Sequence, residues 1–421
     1  MLQNKKLTVS VYIRQILTLM TGTLIAQAIT FAFIPVITRL YSPEEFGAFA
    51  LFLSTVSIFG LISSLKYDQA IMLPKKEEDA QALLFLSIAL TLITVITLVV
   101  GLLFFSDSLI NYFGGNHNLM WLIPYGVLLT GTLQVLNAYS SRKQHYKKLA
   151  NVKVINSFVV ASSQTGAKSL FNLNGLAFGK LLADSFSVFL LAKSYFSMNI
   201  SHLKMMSKEE IAVNAKLYKD FPKFQCPTVF LNSISQNLPV FMFAYFFSPE
   251  IAGYYALTVK VLQVPISLIG KSTREVFYQK ASKIYASNES FYELYFTTTL
   301  GLFKIFIIPF CIIFIGGEQL FTLYLGDAWG VSGKMSQILV FWFMFIFINP
   351  PSIMSLSILR LQKVQMQLEI ISLLLRFLSI YAGYFFFQSV FAALYLFVIS
   401  SIFVNLYIII FVYYRLKKES Q

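Results

Sequence analysis

Long stretches of about 20 mainly apolar residues occupy most of this chain, and they constrain its fold more than any other feature. A helix of about 20 residues spans a hydrocarbon core, and inside lipid the backbone must satisfy its own hydrogen bonds. Hydrophobic residues make up 57% of the chain and charged residues 12%, far fewer charges than a soluble domain carries. The sequence therefore predicts an all-α, polytopic membrane protein. We place about 12 spans at 15–37, 44–65, 82–105, 119–140, 151–171, 175–195, 222–247, 251–270, 294–316, 335–358, 366–387 and 389–414.

The basic residues indicate which side of the membrane each loop occupies, because cytoplasmic loops carry the excess of Lys and Arg. Most of the 33 lysines and arginines fall in loops on the side of both termini, so we predict that both termini are cytoplasmic. The net charge of +14 is spread over these short loops. Contact with anionic lipid headgroups accounts for it without a nucleic-acid partner. The opposite loops hold only Arg39, Lys168, Lys180 and Lys334.

No cofactor or metal site is predicted. Cys226 and Cys311 both lie in apolar stretches, and the three histidines have no His or Cys neighbour at the spacing of metal ligands. The apolar run that follows the basic N-terminal residues is too long for a cleaved signal peptide, so we expect it to remain as the first span.

A ten-residue motif occurs twice, at 42–51 and at 248–257, about half the chain length apart. Such internal repeats are typical of transporters. Because an even number of spans separates the copies, the halves are predicted to be parallel repeats. We predict a six-helix bundle over 1–203, a cytoplasmic linker helix over 204–220 that Ser207 and Glu210 begin as a capping box, and a second six-helix bundle over 221–421.

The chemistry of the motif favours a tight turn on the outer face, followed by a helix. A serine caps the helix, proline suits its first position, glutamate favours its positive end and glycine permits close approach of a neighbour. A direct role in substrate contact stays an alternative. The residues concerned are Ser42, Pro43, Glu44 and Gly47 in the first copy, and Ser248, Pro249, Glu250 and Gly253 in the second.

Polar residues recur every three or four positions in several spans and so share one helix face. Such seams line cavities, but small polar residues also join helices without a cavity. The stripes are Gly253, Ala256, Lys260, Gln263, Ser267 and Gly270 in the eighth span; Glu369, Ser372, Arg376, Ser379 and Gly383 in the eleventh; Gln225, Thr228, Asn232, Ser235 and Gln236 in the seventh; and Thr23, Gln27 and Thr30 in the first.

Two cations, Lys260 and Arg376, fall near the middle of their spans, where a charge costs about 2.5 to 3.5 kcal/mol. Either they line a watery cavity for an anionic substrate, or they form an internal ion pair, for which Asp184 is the only comparably deep acid. Lys304 is nearer the cytoplasmic side, so it could instead snorkel. The candidate substrate residues are Lys260, Arg376, Lys304, Gln263, Asn232, Gln27 and Asp184.

Several short motifs stand out near the start of the chain and before the tenth span. They are Gly22, Gln27 and Pro35, the run Thr38 to Gly47, the run Ser63 to Asp68, the run Ala70 to Pro74, and Gly326-Asp327-Ala328-Trp329. In these motifs the chain resembles the bacterial lipid-linked oligosaccharide flippases. These are the O-antigen and polysaccharide repeat-unit translocases of the multidrug/oligosaccharidyl-lipid/polysaccharide exporter superfamily.

The resemblance implies two six-helix bundles around a central cationic lumen, which the first, second, seventh and eighth helices face. It implies an undecaprenyl-diphosphate-linked oligosaccharide as substrate, flipped by alternating access in the bacterial inner membrane during O-antigen, lipopolysaccharide or other surface-polysaccharide biosynthesis. Membrane lipids and other polysaccharide-assembly proteins are the expected partners.

Three other functions stay open at this point. A multidrug or small-molecule exporter of the same superfamily is expected to couple to H⁺ or Na⁺ through deep acids, and the spans offer little beyond Asp184. A membrane enzyme is not expected, because the short outer loops hold no acidic cluster. A scaffold for glycan enzymes needs neither a lumen nor a buried charge.

Overall fold

The computed structural model describes residues 2–110, 117–171, 174–203 and 208–419, and no β-strand occurs in those ranges. The predicted all-α class is confirmed. The helices are α1 (Leu2–Leu40), α2 (Pro43–Ile62), α3 (Tyr67–Ala70), α4 (Glu77–Leu109), α5 (His117–Trp121), α6 (Ile123–Arg142), α7 (Tyr146–Phe171), α8 (Gly175–Leu203), α9 (Lys208–Leu217), α10 (Cys226–Phe246), α11 (Pro249–Ala286), α12 (Tyr292–Leu325), α13 (Gly330–Ile348), α14 (Pro350–Ile358), α15 (Gln362–Phe387) and α16 (Val390–Glu419).

Each predicted span falls on one of these helices or on a consecutive pair. Within the described residues, nine segments are long and apolar enough to cross a membrane, and α11 makes a tenth if its two parts count as one span. The other two predicted spans correspond to α7 and α10. Polar residues such as Gln164 in α7 and Asn232 in α10 lower their hydropathy, although both are long helices.

Proline explains where two of the spans bend or break. In α11 the parts Pro249–Ser267 and Ser272–Ala286 meet at 44°, and Pro265 lies shortly before the bend. Between α13 and α14 the helix is interrupted at Asn349, where Pro350 and Pro351 follow. Because proline has no backbone N–H, it removes a helical hydrogen bond from the preceding turn.

The first compact unit comprises residues Met1–Tyr41 and Ala48–Ile234. In its interior, α1 packs on α7, α7 on α8, and α4 on α6. The helix α9 docks on this unit, since Asn214 donates to Asp79 (3.0 Å) and the Tyr67 hydroxyl donates to the Ala215 carbonyl (2.9 Å). The predicted linker helix thus contains α9, while its proposed cap Ser207 lies outside the described residues.

The second compact unit comprises Ser42–Gly47 and Ser235–Gln421. Its core includes Phe277, Tyr295, Leu356 and Val412 from four different helices. Tyr295 also anchors polar groups, because its hydroxyl lies 3.0 Å from Ser352 Oγ and donates to the Ile409 carbonyl at 2.9 Å. The predicted bundle limits at 203 and 221 stay a prediction.

Candidate functional site

The polar stripe of α11 reaches the protein surface in its middle part, between the buried residues Gly253 and Gly270. Gly253 is buried and Lys260 is half-buried, whereas Gln263 and Ser267 are exposed. An exposed amide such as that of Gln263 is costly to place against lipid tails, whereas Ser267 Oγ donates to the Val264 carbonyl of its own helix at 2.9 Å. The middle of this stripe, which includes the cation of Lys260, is thus polar and accessible, and its contact with water or substrate stays a prediction.

The polar stripe of α15 runs through the interior of the second unit instead. Ser372 is 7% exposed, Arg376 is 8% exposed, and Gly383 is also buried. Gly383 lies so close to α16 that a Cβ built on it would be 2.2 Å from the Ala393 Cα. The α15 stripe thus packs against neighbouring helices over most of its length.

Arg376 bonds to protein groups rather than facing open solvent. Its Nη1 donates to the Ser235 carbonyl oxygen at 2.9 Å and to Ser235 Oγ at 3.1 Å. Its guanidinium carbon also lies 5.8 Å from the centre of the Trp342 ring. The sequence left open a water-lined cavity or an internal ion pair for this residue. In the structure, α10 and α13 cover the face of α15 that carries Arg376.

Asp184 lies in the first unit and is 5% exposed. Lys180 Nζ lies 2.5 Å from each of its carboxylate oxygens, and Asn156 Nδ2 donates to it at 3.0 Å. An ion-pair partner of Asp184 is therefore Lys180, a residue that the sequence predicts in an outer loop. The four-residue spacing on α8 places Lys180 and Asp184 on one helix face.

The remaining candidates occupy different surroundings. Lys304 is exposed on α12 between the exposed apolar residues Phe303 and Ile305, which favours the snorkelling alternative. Gln27 on α1 and Asn232 on α10 are half-buried. Their contacts with a substrate stay a prediction.

Each copy of the repeated motif caps its own helix. In the first copy the Ser42 N–H donates to Glu45 Oε2 at 2.8 Å, and the Glu45 N–H donates back to Ser42 Oγ at 3.3 Å. In the second copy Ser248 Oγ accepts from the Ile251 N–H at 3.2 Å. The first copy is thus a complete capping box, closed by Glu45, whereas Glu44 is exposed.

The two copies meet within the second unit at their glycines. A Cβ built on Gly47 would lie 1.7 Å from the Pro249 carbonyl oxygen, and one built on Gly253 would lie 1.9 Å from that of Pro43. Only glycine allows this approach of two backbones. The buried ring of Trp329 contacts both copies, with ring centres 4.9 Å from Phe46 and 5.9 Å from Tyr254.

Sequence reasoning missed a buried polar cluster in the first unit. Lys66, counted as a loop charge, is 3% exposed; its Nζ lies 3.7 Å from Asp68 Oδ2, and Ser64 Oγ donates to Asp68 Oδ1 at 2.5 Å. The backbone of Lys66 is left-handed, with φ of 65°, which turns the chain between α2 and α3. In the sequence, only the Ser-Ser-Leu-Lys-Tyr-Asp run marked this region, as part of the family resemblance, and the run did not indicate that Lys66 is buried.

Solved structures share this fold across nearly the whole chain. An inward-facing multidrug resistance transporter of the MATE family and MOP superfamily is 13% identical, with a TM-score of 0.73 and 95% of each chain covered. The lipid II flippase MurJ, in an inward closed conformation, is 14% identical, with a TM-score of 0.74, and the match covers 96% of this chain and 89% of MurJ. A MOP superfamily transporter from Pyrococcus furiosus is 16% identical, with a TM-score of 0.60 and 97% and 96% of the two chains covered.

Sequence comparison gives the family more directly than fold similarity does. No curated protein sequence matches the chain significantly. A family model described as "Polysaccharide biosynthesis protein" matches residues 36–334, well over half of the chain. This match and the shared fold confirm the resemblance found in the motifs. The chain belongs to the polysaccharide biosynthesis protein family and has the fold of the MOP superfamily of membrane transporters.

Proposed function

We propose that this protein flips undecaprenyl-diphosphate-linked oligosaccharide repeat units from the cytoplasmic to the periplasmic leaflet of the bacterial inner membrane. O-antigen or another surface polysaccharide is the product of the pathway that it serves. The family match and the fold shared with a lipid II flippase support a transporter of lipid-linked sugars. The polar stripe of α11, with Lys260 at its middle, is the observation from which we propose where the substrate binds.

Lys260 supplies the charge that an anionic substrate needs. A diphosphate or sugar acid attracts an ammonium group much more strongly in a partly desolvated site than in bulk water. Gln263, exposed one turn further along α11, offers an amide group to the sugar hydroxyls. Ser267 Oγ, exposed two turns along, already donates to the Val264 carbonyl and can only accept from them. Sugar thus crosses along a wet surface while the polyprenyl tail stays in lipid.

We propose that the protein works by alternating access. The contact between the two motif copies lies inside the second unit, and the capping hydrogen bonds of Ser42, Glu45 and Ser248 stay within their own copy. Phe46 and Tyr254 also pack against Trp329. We therefore expect this part of the second unit to keep its structure through the transport cycle.

The multidrug exporter is the second candidate, since a MATE transporter shares the fold. Ion-coupled export needs a deep acid that can release its cation or proton. Asp184 already binds Lys180 and Asn156, so it is poorly placed to do this. The flippase is therefore the function that we favour.

Deletion of the gene tests the proposal directly. We expect undecaprenyl-linked repeat units to accumulate on the cytoplasmic side, where an added membrane-impermeant sugar-modifying probe cannot reach them until the inner membrane is opened. Re-expression should restore surface polysaccharide. Normal export in the deletion strain, or accumulation on the periplasmic side, would contradict the flippase. A reporter fused to the C-terminus tests the predicted cytoplasmic location of that end.

A further inference from the structure

Arg376 brings a positive charge into the interior of the second unit without a carboxylate beside it. Within the described residues, no aspartate or glutamate oxygen lies within 4.0 Å of its guanidinium. The hydrogen bonds to Ser235 both come from Nη1, and the buried Nε has no acceptor among the described residues. The side chain therefore keeps a charge and an N–H donor unmatched by the protein groups described.

Trp342, which lies against the Arg376 guanidinium, has a second buried N–H donor without an acceptor among the described residues. Its ring centre is 5.8 Å from the Arg376 guanidinium carbon, and the residue is 6% exposed. The indole Nε1 is buried and has no acceptor among the described residues. Buried N–H groups without partners are rare in folded proteins, because each loses its bonds to water.

The neighbouring groups offset only part of the cost of burying this cation. A guanidinium over an indole ring gains some attraction from the ring when desolvated, but this gain is smaller than the cost of removing an ion from water. Ser235 contributes dipoles but no negative charge. Glu369 lies two helical turns before Arg376 on α15, roughly 10 Å along the axis, so it does not bond to the guanidinium.

We propose that a small monovalent anion, of the size of chloride, binds beside Arg376 inside the second unit. It accepts hydrogen bonds from Arg376 Nε and Trp342 Nε1 and neutralises the buried charge. A water molecule would accept the N–H groups but leave the charge uncompensated. A diphosphate is excluded by the burial of Arg376, which is only 8% exposed. The bound anion is thus a resident part of the unit and distinct from the transported substrate.

The effect of anions on thermal unfolding tests this site without any transport assay. Purified protein is heated in chloride, bromide or gluconate at constant ionic strength, gluconate being too large to enter. We expect Tm to be about 2 to 5 °C higher in saturating chloride or bromide than in gluconate. Equal Tm in all three salts would overturn the proposal and indicate that water satisfies both donors.

Two variants locate the effect. In Arg376→Gln the difference between chloride and gluconate should disappear, whereas Lys304→Gln, which removes an exposed charge from the same unit, should keep it. If Arg376→Gln does not fold, Trp342→Phe retains the cation but loses one donor, and chloride should then bind about 3- to 10-fold more weakly. A chloride response unchanged in these Arg376 or Trp342 variants contradicts the site. Neither readout involves lipid-linked sugar, so the result is independent of the proposed flippase activity.

Discussion

The second unit contains two polar stripes that look alike in sequence and differ in their surroundings. On α11, Lys260 is followed by the exposed residues Gln263 and Ser267; on α15, Arg376 is flanked by the buried residues Ser372 and Gly383. Each stripe has a cation near mid-span and small or polar residues at helical spacing. The difference shows that helical periodicity identifies which residues share a face. The helices packed around that face decide whether it contacts water or protein.

The glycines near the ends of the two stripes also differ in their packing. A Cβ built on Gly383 would lie 2.2 Å from the Ala393 Cα, whereas one built on Gly270, which is itself buried, would meet no described atom within 4 Å. Therefore α15 is in tight contact with α16 at Gly383, while the described residues show no such contact at Gly270. Glycine thus allows close packing of helices at Gly383 on α15 but not, among the described residues, at Gly270 on α11.

The largest expected difference between the stripes is in transport. Lys260→Ala should lower surface-polysaccharide export about 10- to 100-fold, because a charge-assisted contact with the substrate contributes about 1.5 to 3 kcal/mol. Export is measured per unit of protein in the membrane, so that a folding defect is not counted as a transport defect.

Lys304→Ala is the matched control for this variant. It removes one charge from an exposed position on α12 and should leave export within about 2-fold of the native value. If Lys260→Ala exports normally at normal membrane levels, α11 does not lie on the transport path. The two stripes then do not differ in function.

A difference in stability should follow from the two glycines. Gly383→Ala forces α15 and α16 apart and should destabilise the protein by about 1 to 3 kcal/mol. The Cβ added by Gly270→Ala would meet no described atom within 4 Å, so this change should be neutral or stabilising, by up to about 1 kcal/mol. Thermal unfolding in detergent measures both. Equal Tm values for the two variants would show that the α15 contact is not tight.

The smallest difference concerns neutral polar groups. Gln263→Ala should lower export by about 2- to 10-fold without changing Tm, since one neutral hydrogen bond contributes about 0.5 to 1.5 kcal/mol. Ser379→Ala should change neither, because its hydroxyl bonds to the Leu375 carbonyl of its own helix. Reduced export by Ser379→Ala would extend the transport path to α15.

The sequence predicted the helical segments well and their contacts poorly. Each predicted span lies on a helix or on a consecutive pair of helices, because apolar length depends on local composition alone. The pairing of Asp184 with Lys180 and the burial of Lys66 escaped prediction, since both depend on how neighbouring segments fold back on one another. The repeat was evident, but not the contact between its two copies.

The all-α class, the approximate spans, the repeated motif and the family follow from the sequence alone, because hydropathy, spacing and motif identity are properties of local segments. Only the tertiary structure decides that Gly47 and Gly253 meet the backbone of the other copy, that Arg376 is covered by α10 and α13, and that Gln263 is exposed. The reason is that burial and partner choice are set by residues distant in the chain, whose positions no single segment encodes.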